Sequence, residues 1–262
     1  MTRTGFDATN RMQRESGRDV LQGQERGPNL ESYGKAGRRI GMEKGEFVAQ
    51  LLKMTEESEI VFSADQAGRC FDHAAFMVEW NRKSNLTRIT DFREILTKHV
   101  LDSIAPGREL PARGVALDVG TGPGYPGIPL KILHPDLDMW LLESNRKKIS
   151  FLKAAVARIP LSGVHTLHGR WEQALDTANF FPEDGVDLVT MRAVRLEAVQ
   201  LEKLAPATLR PGGVFAWWAG PCAETGRGLP PGGAEMEFER TFTYNLPGAG
   251  QPRRLYIWRR RP

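Results

Sequence analysis

Residues 117–130, LDVGTGPGYPGIPL, constrain this chain more than any other stretch. Four glycines, Gly120, Gly122, Gly124 and Gly127, follow a short apolar run and precede apolar residues at helical spacing. A glycine loop between a strand and a helix brings backbone close to a ligand at a strand's C-terminal end. Gly122, Gly124 and Gly127 satisfy G-x-G-x-x-G in one register, and an acid, Glu143, lies about twenty residues on. That outlines a dinucleotide site.

The same geometry serves S-adenosylmethionine, with the acid accepting hydrogen bonds from the ribose hydroxyls. Three features favour this second ligand. Asp118 completes D-x-G-x-G-x-G, the form typical of methyltransferases, which accommodates a zwitterionic amino acid rather than a pyrophosphate. Pro126 removes a donor from the helix start, which suits a ligand without a pyrophosphate. LRPGGVF at 209–215 is the turn that class I methyltransferases carry before the fifth strand. A nicotinamide enzyme stays open on the loop alone.

The surroundings fit an α/β sheet. Strands are expected at 115–119, 139–142, 164–168, 187–190 and 214–218, with helices at 128–134, 147–158 and 196–208. Such alternation predicts a parallel sheet with right-handed crossovers. EMEFERTFTYNL and RRLYIW read as an antiparallel pair finishing it. The fold class is therefore a class I, Rossmann-like methyltransferase: seven strands, mostly parallel, with an antiparallel last strand and a helical N-terminal cap. The expected organisation is a disordered basic tail at 1–41, the cap at 42–110 and the α/β core at 111–262. In the cap, FVAQLLKM and CFDHAAFMVEW space apolar residues at three and four, and Asp91 is placed to cap a helix beginning near Phe92.

Charge sits at the ends. Residues 1–45 carry +3 and residues 253–262 carry +5, leaving 46–252 at −4 against +4 for the whole chain. Bulk charge in the core does not advertise nucleic acid, so any RNA contact must come from local patches or the basic ends. No run approaches the roughly 18 apolar residues of a membrane span, so no membrane association is expected. The start has no secretory h-region, and two distant cysteines suit a reduced cytoplasm.

WNRKSNLT, HVLDS, LDVGTGPGYPGIPL and VTMRAV, in that order over about residues 46–220, resemble the RsmG (GidB) family of bacterial methyltransferases. The family modifies N7 of a guanine in 16S, small-subunit ribosomal RNA. The resemblance implies S-adenosylmethionine as cofactor, with Asp118, Gly120, Gly122, Gly124 and Tyr125 in the loop and Trp171 and Glu172 after the third strand. It also implies Arg192 at the end of the fourth strand. Glu143 is added from strand-end geometry. Each of three residues also has a structural reading: Trp171 as a core aromatic, Glu172 as a surface acid and Arg192 as an ion-pair partner.

The implied chemistry is displacement at the sulfonium methyl by a lone pair that carries no proton. Orientation suffices, with no general base and no metal. Arg192 is the candidate to orient the guanine through O6. RNA contacts are expected from Arg82, Lys83 and Arg88 in the cap and from Arg146 and Lys147 after Glu143. The latter pair also reads as a solvated helix start. His99 and Asp102, spaced i, i+3 in HVLDS, could pair on one face, as a site wall or as a clamp between helix and sheet.

Two departures stand out. Met191 replaces the usual Ser or Thr, and AWWAG, with Trp218 and Ala219, replaces a lysine-bearing segment after the fifth strand. Trp217 or Trp218 could stack on a base or belong to the core, and Arg195 could supply the missing charge. The expected partner is small-subunit ribosomal RNA or the assembled subunit, met by a cytoplasmic monomer. The alternatives are a methyltransferase of another RNA or of a small molecule, and a non-catalytic assembly factor that retains the fold.

Overall fold

The computed structural model describes residues 41–175, 184–194, 196–219 and 234–262. The tail expected at 1–41, apart from Gly41, lies outside these residues, as do Arg195 and Cys222.

The chain opens with α1 (Lys44–Glu57), which buries Phe47, Leu51 and Thr55, one stripe at a spacing of four. The long α2 (Ala64–Ser84) starts in a reciprocal cap: Ser63 Oγ accepts from Gln66 N at 3.2 Å, and Gln66 Oε1 accepts from Ser63 N at 2.8 Å. The same Gln66 donates through Nε2 to the Ile132 carbonyl at 2.7 Å, tying the cap to the sheet layer. α3 comprises Phe92–Ile95, a π-helical turn Leu96–Leu101 and a last turn Asp102–Ile104. Asp91 caps it as expected, accepting from Arg93 N and Glu94 N at 3.0 Å. Phe47, Phe71 and Phe92 lock these helices together, with ring centroids 5.4 to 6.2 Å apart.

The sheet follows: β1 (Arg113–Val119), β2 (Asp136–Glu143), β3 (Val164–His168), β4 (Val186–Arg192), β5 (Leu209–Ala219), β6 (Met236–Tyr244) and β7 (Arg253–Arg260). Their order is β3-β2-β1-β4-β5-β7-β6. The first five are parallel, and β7 runs antiparallel to both β5 and β6. Between them lie α4 (Gly127–Leu133), α5 (Arg146–Arg158), α6 (Trp171–Leu175) and α7 (Ala198–Thr208). The RPGG turn expected before β5 falls within the strand as an irregularity. Val186 pairs with Leu209 and Leu188 with Val214, so the extra residues bulge out.

One buried cluster runs from Phe47 and Phe71 in the cap through Leu130 and Leu141 to Ile257 in β7. Cap and one sheet face therefore share a single apolar core. A second cluster, with Leu117, Val189, Trp171 and Trp258, covers the other face. No helix of the described residues is long and apolar enough to cross a membrane.

β1 lies between β2 and β4, where the connections diverge to opposite halves of the sheet, and ligands bind in the crevice at that switch point. Val119 is level with Leu142 on one side and with Met191 on the other. The glycine loop, Glu143 and Arg192 thus meet at one edge.

Candidate active site

The loop is shaped from below by a buried acid. Asp118 is 0% exposed. Its Oδ2 accepts from Gly127 N at 2.8 Å, and its Oδ1 accepts from the Thr190 hydroxyl at 2.8 Å. Burial pushes its pKa up to about 6 against the opposing pull of those hydrogen bonds and of Arg192. The structure thus places Asp118 beneath the loop, joining β1, β4 and the start of α4, so that it reaches a ligand only through the backbone it holds.

Glu143 works from the side. It is 6% exposed; Oε2 accepts from Gly122 N at 3.0 Å and Oε1 from Asn145 N at 2.8 Å. Lys148 Nζ stands 3.9 Å from Oε2. One N–H on each oxygen leaves acceptor capacity on both. Gly120 and Gly122 have φ of +65° and +61°, a region side chains rarely adopt. A Cβ on Gly120 would strike Val194 at 2.4 Å, whereas one on Gly122 would meet only Lys148 Nζ at 3.9 Å. The space over Gly122 is open. Gly124, with φ of +95°, donates its N–H to Thr121 O at 3.0 Å within the turn.

Tyr125 closes the loop against the cap. Its buried ring packs on His73 and His99, centroids 4.8 and 4.6 Å away, and the Arg192 guanidinium lies 5.8 Å from its centre. His73 shares a 2.8 Å hydrogen bond with the Pro123 carbonyl, so Nε2 donates. His73 belongs to none of the motifs. Its only sequence signal is a polar residue on the apolar face of α2.

Arg192 ends β4 with its side chain 13% exposed. It pairs with Asp102 Oδ2 at 2.9 Å and donates to Lys98 O at 3.3 Å and His99 Nδ1 at 3.5 Å. It is an ion-pair partner and also stands beside the loop, so both of its readings describe the same placement. His99 and Asp102 meet through Arg192 and not directly. The π turn changes the phase of the helix, so i, i+3 no longer defines one face. Burial, then Arg192, pushes the His99 pKa down to about 3.

Asp102 also clamps helix to sheet. Its Oδ1 accepts from the Tyr244 hydroxyl at 2.8 Å and lies 3.8 Å from Arg253 Nε, and its carbonyl accepts from Trp218 Nε1 at 2.8 Å. Trp218 is buried in the core, where this bond satisfies its indole N–H; Trp217 packs on Tyr256 at 6.0 Å. Tyr244 and Arg253 lie in the two strands read from EMEFERTFTYNL and RRLYIW, but nothing there marks them as partners of Asp102.

Trp171 and Glu172 open α6 just past β3. Trp171 is buried and donates through Nε1 to the Thr208 hydroxyl at 2.8 Å, a core aromatic by placement. Glu172 accepts from Gln200 Nε2 at 3.2 Å, fastening α6 to α7. Arg82, Lys83, Arg88, Arg146 and Lys147 are all exposed and form no ion pair among the described residues. The structure places the first three at the end of α2 and just beyond it, and the last two in the first turn of α5, whose cap is Asn145.

The strand order, the antiparallel β7 and the glycine loop at the β1–β4 switch point define a class I methyltransferase. The family model described as rRNA small subunit methyltransferase G, GidB, matches residues 69–254, and the chain belongs to that family. It is 54% identical over 202 residues to ribosomal RNA small subunit methyltransferase G 1 of Syntrophobacter fumaroxidans, covering 76% of this chain and 90% of that one. It is 36% identical over 203 residues to the corresponding protein of Desulfitobacterium hafniense, covering 76% of this chain and 82% of that one.

Proposed function

We propose that this methyltransferase carries a methyl group from S-adenosylmethionine to N7 of one guanine in small-subunit, 16S ribosomal RNA, acting as a cytoplasmic monomer on the RNA or the assembled subunit. The carrying observation is the convergence of the open glycine loop, Glu143 and Arg192 at one sheet edge.

The residues present fit the cofactor. The space over Gly122 admits a ligand against bare backbone. The spare acceptor capacity of Glu143 suits two ribose hydroxyls, and Arg192 stands at the end of β4 beside the loop. When bound, the cofactor supplies an electrophilic methyl on a sulfonium.

Guanine N7 carries a lone pair and no proton. A methyl accepted there would leave no proton at N7 for a side chain of this chain to take up. Orientation is then the protein's main contribution, and a reacting distance of about 3 Å accounts for much of the rate. Arg192, fixed by Asp102, presents a guanidinium able to donate to guanine O6. Arg146 and Lys147 sit where a helix dipole disfavours cations, at about 0.3–1 kcal/mol each. Their presence there favours a polyanionic partner over helix stability, and Arg82, Lys83 and Arg88 extend the basic character onto the cap.

The test is to incubate small-subunit particles from bacteria lacking this activity with the chain and methyl-labelled S-adenosylmethionine, then digest the RNA. A single labelled 7-methylguanosine is the expected product. Cofactor binding without label in RNA would redirect the search to another RNA or a small molecule. No cofactor binding would refute the enzyme reading.

A further inference from the structure

We propose that Asp102 is a charge-balancing residue: lying between Arg192 and Arg253, it halves the positive charge that the two set against a cationic cofactor while Arg192 donates hydrogen bonds beside the glycine loop. The inference rests on the cofactor reading given above.

The geometry is specific. Asp102 Oδ2 meets Arg192 at 2.9 Å, and Oδ1 faces Arg253 at 3.8 Å while the Tyr244 hydroxyl holds it at 2.8 Å. The Asp102 side chain is 6% exposed, so water screens the group poorly. Arg192 in turn lies over Tyr125, a residue of the loop itself. Two guanidiniums therefore converge near the ligand loop, and one carboxylate brings their net charge from two to one.

The reaction makes that balance matter. The cofactor arrives as a sulfonium, and the guanine ring acquires positive charge as its N7 pair is donated. An unbalanced guanidinium opposes both. In a partly buried site, one unit charge near a second is enough to alter its affinity about tenfold. The other groups touching Arg192 do not balance it: His99 is neutral and the Lys98 contact is a carbonyl. Among the described residues, Asp102 is the carboxylate in contact with it. Asp118 is the nearby buried acid and is engaged by Thr190 and Gly127. Part of the clamp between helix and sheet is independent of the charge, because Trp218 donates to the Asp102 carbonyl.

The experiment compares two ligands that differ in this charge, S-adenosylmethionine and its neutral product S-adenosylhomocysteine. Their dissociation constants are measured by calorimetry on the full chain as wild type, Asp102→Asn and Arg192→Gln. Asp102→Asn should weaken the sulfonium ligand about tenfold relative to the neutral one, and Arg192→Gln should shift the ratio the opposite way. Should the first variant not fold, the direction seen in Arg192→Gln decides. A ratio that stays constant while both affinities change together would overturn the proposal, since that is what a purely structural Asp102 would give. A wild-type chain that binds neither ligand would overturn the cofactor reading and this inference with it.

Discussion

The N–H of Gly122 donates to Oε2 of Glu143 at 3.0 Å. Glu143, at the end of β2, thereby sets the conformation of the glycine loop beside it.

Glu143→Gln separates that role from the proposed hold on the ribose. A carboxamide has one acceptor oxygen where the carboxylate has two, so either Gly122 N or Asn145 N loses its partner. An unpaired buried donor costs about 1–3 kcal/mol, and Tm should fall by about 3–8 °C. Affinity for S-adenosylmethionine should drop at least about tenfold, because the diol also loses its charged acceptor. Calorimetry and a thermal melt check both, and an unchanged affinity would remove Glu143 from the ligand set.

Asp118 gives the fold a pH dependence of defined sign. Its folded pKa of about 6 lies above the unfolded value, near 3.9. Below pH 4 both states are protonated and nothing is lost. Between pH 4 and 6 the unfolded chain ionises first, and stability declines by an amount on the order of 3 kcal/mol, constant above that window. Asp118→Asn lacks this slope. Urea unfolding of wild type and variant at pH 4 and pH 7 should show their difference shifting by that order, and parallel behaviour would refute it.

The buried histidines act in the opposite direction. Burial lowers the His73 pKa to about 4 and that of His99 to about 3, below the unfolded value near 6.5. Their contribution is complete above pH 6.5 and declines as pH falls, since the unfolded chain takes up protons first. A His73→Gln, His99→Gln double variant should be less stable at pH 7 and show a flatter profile from pH 6.5 to 4. His73→Gln alone should also weaken cofactor binding, because it disturbs the tie to the Pro123 carbonyl.

Trp171→Phe keeps the ring and removes the donor to Thr208. The expected loss is about 1 kcal/mol of stability with less than about threefold change in cofactor affinity. A large affinity loss at unchanged stability would mean that the indole itself touches the ligand.

Arg146→Glu with Lys147→Glu should change stability and RNA binding in opposite directions. Acids suit the first turn of α5, so the fold gains about 0.3–1 kcal/mol per site. RNA affinity should fall, and the slope of log affinity against log salt should shrink by about one for each phosphate no longer neutralised. Filter binding across a salt series checks this, and an unaltered slope would exclude the pair from the interface.

What the sequence makes legible follows locality. The glycine loop, the strand and helix alternation and the Asp91 cap are written in neighbouring residues, and so is the antiparallel pair of β6 and β7. The short α6 escapes a reading by pattern because five residues hold too little periodicity to register. The π turn of α3 has no local signature, and it redirects His99 and Asp102 toward a shared arginine. Tyr244 is invisible for another reason: its bond to Asp102 spans 142 positions and exists only because β7 slots between β5 and β6. Asp118 and Glu143 stand out in the motif, but their work on the backbone of the loop emerges only from which N–H groups they hold.

That late-placed strand has a consequence for synthesis. Arg192 is translated well before the residues that seat its partner, since Tyr244 and Arg253 belong to the final two strands. A nascent chain halted after β5 would contain the whole glycine loop, yet the aspartate that steadies Arg192 would have neither its hydroxyl tether nor its second guanidinium. In such a chain Arg192 and Asp102 would both be present, but their pair would lack the tether and the second charge that hold it in the finished sheet.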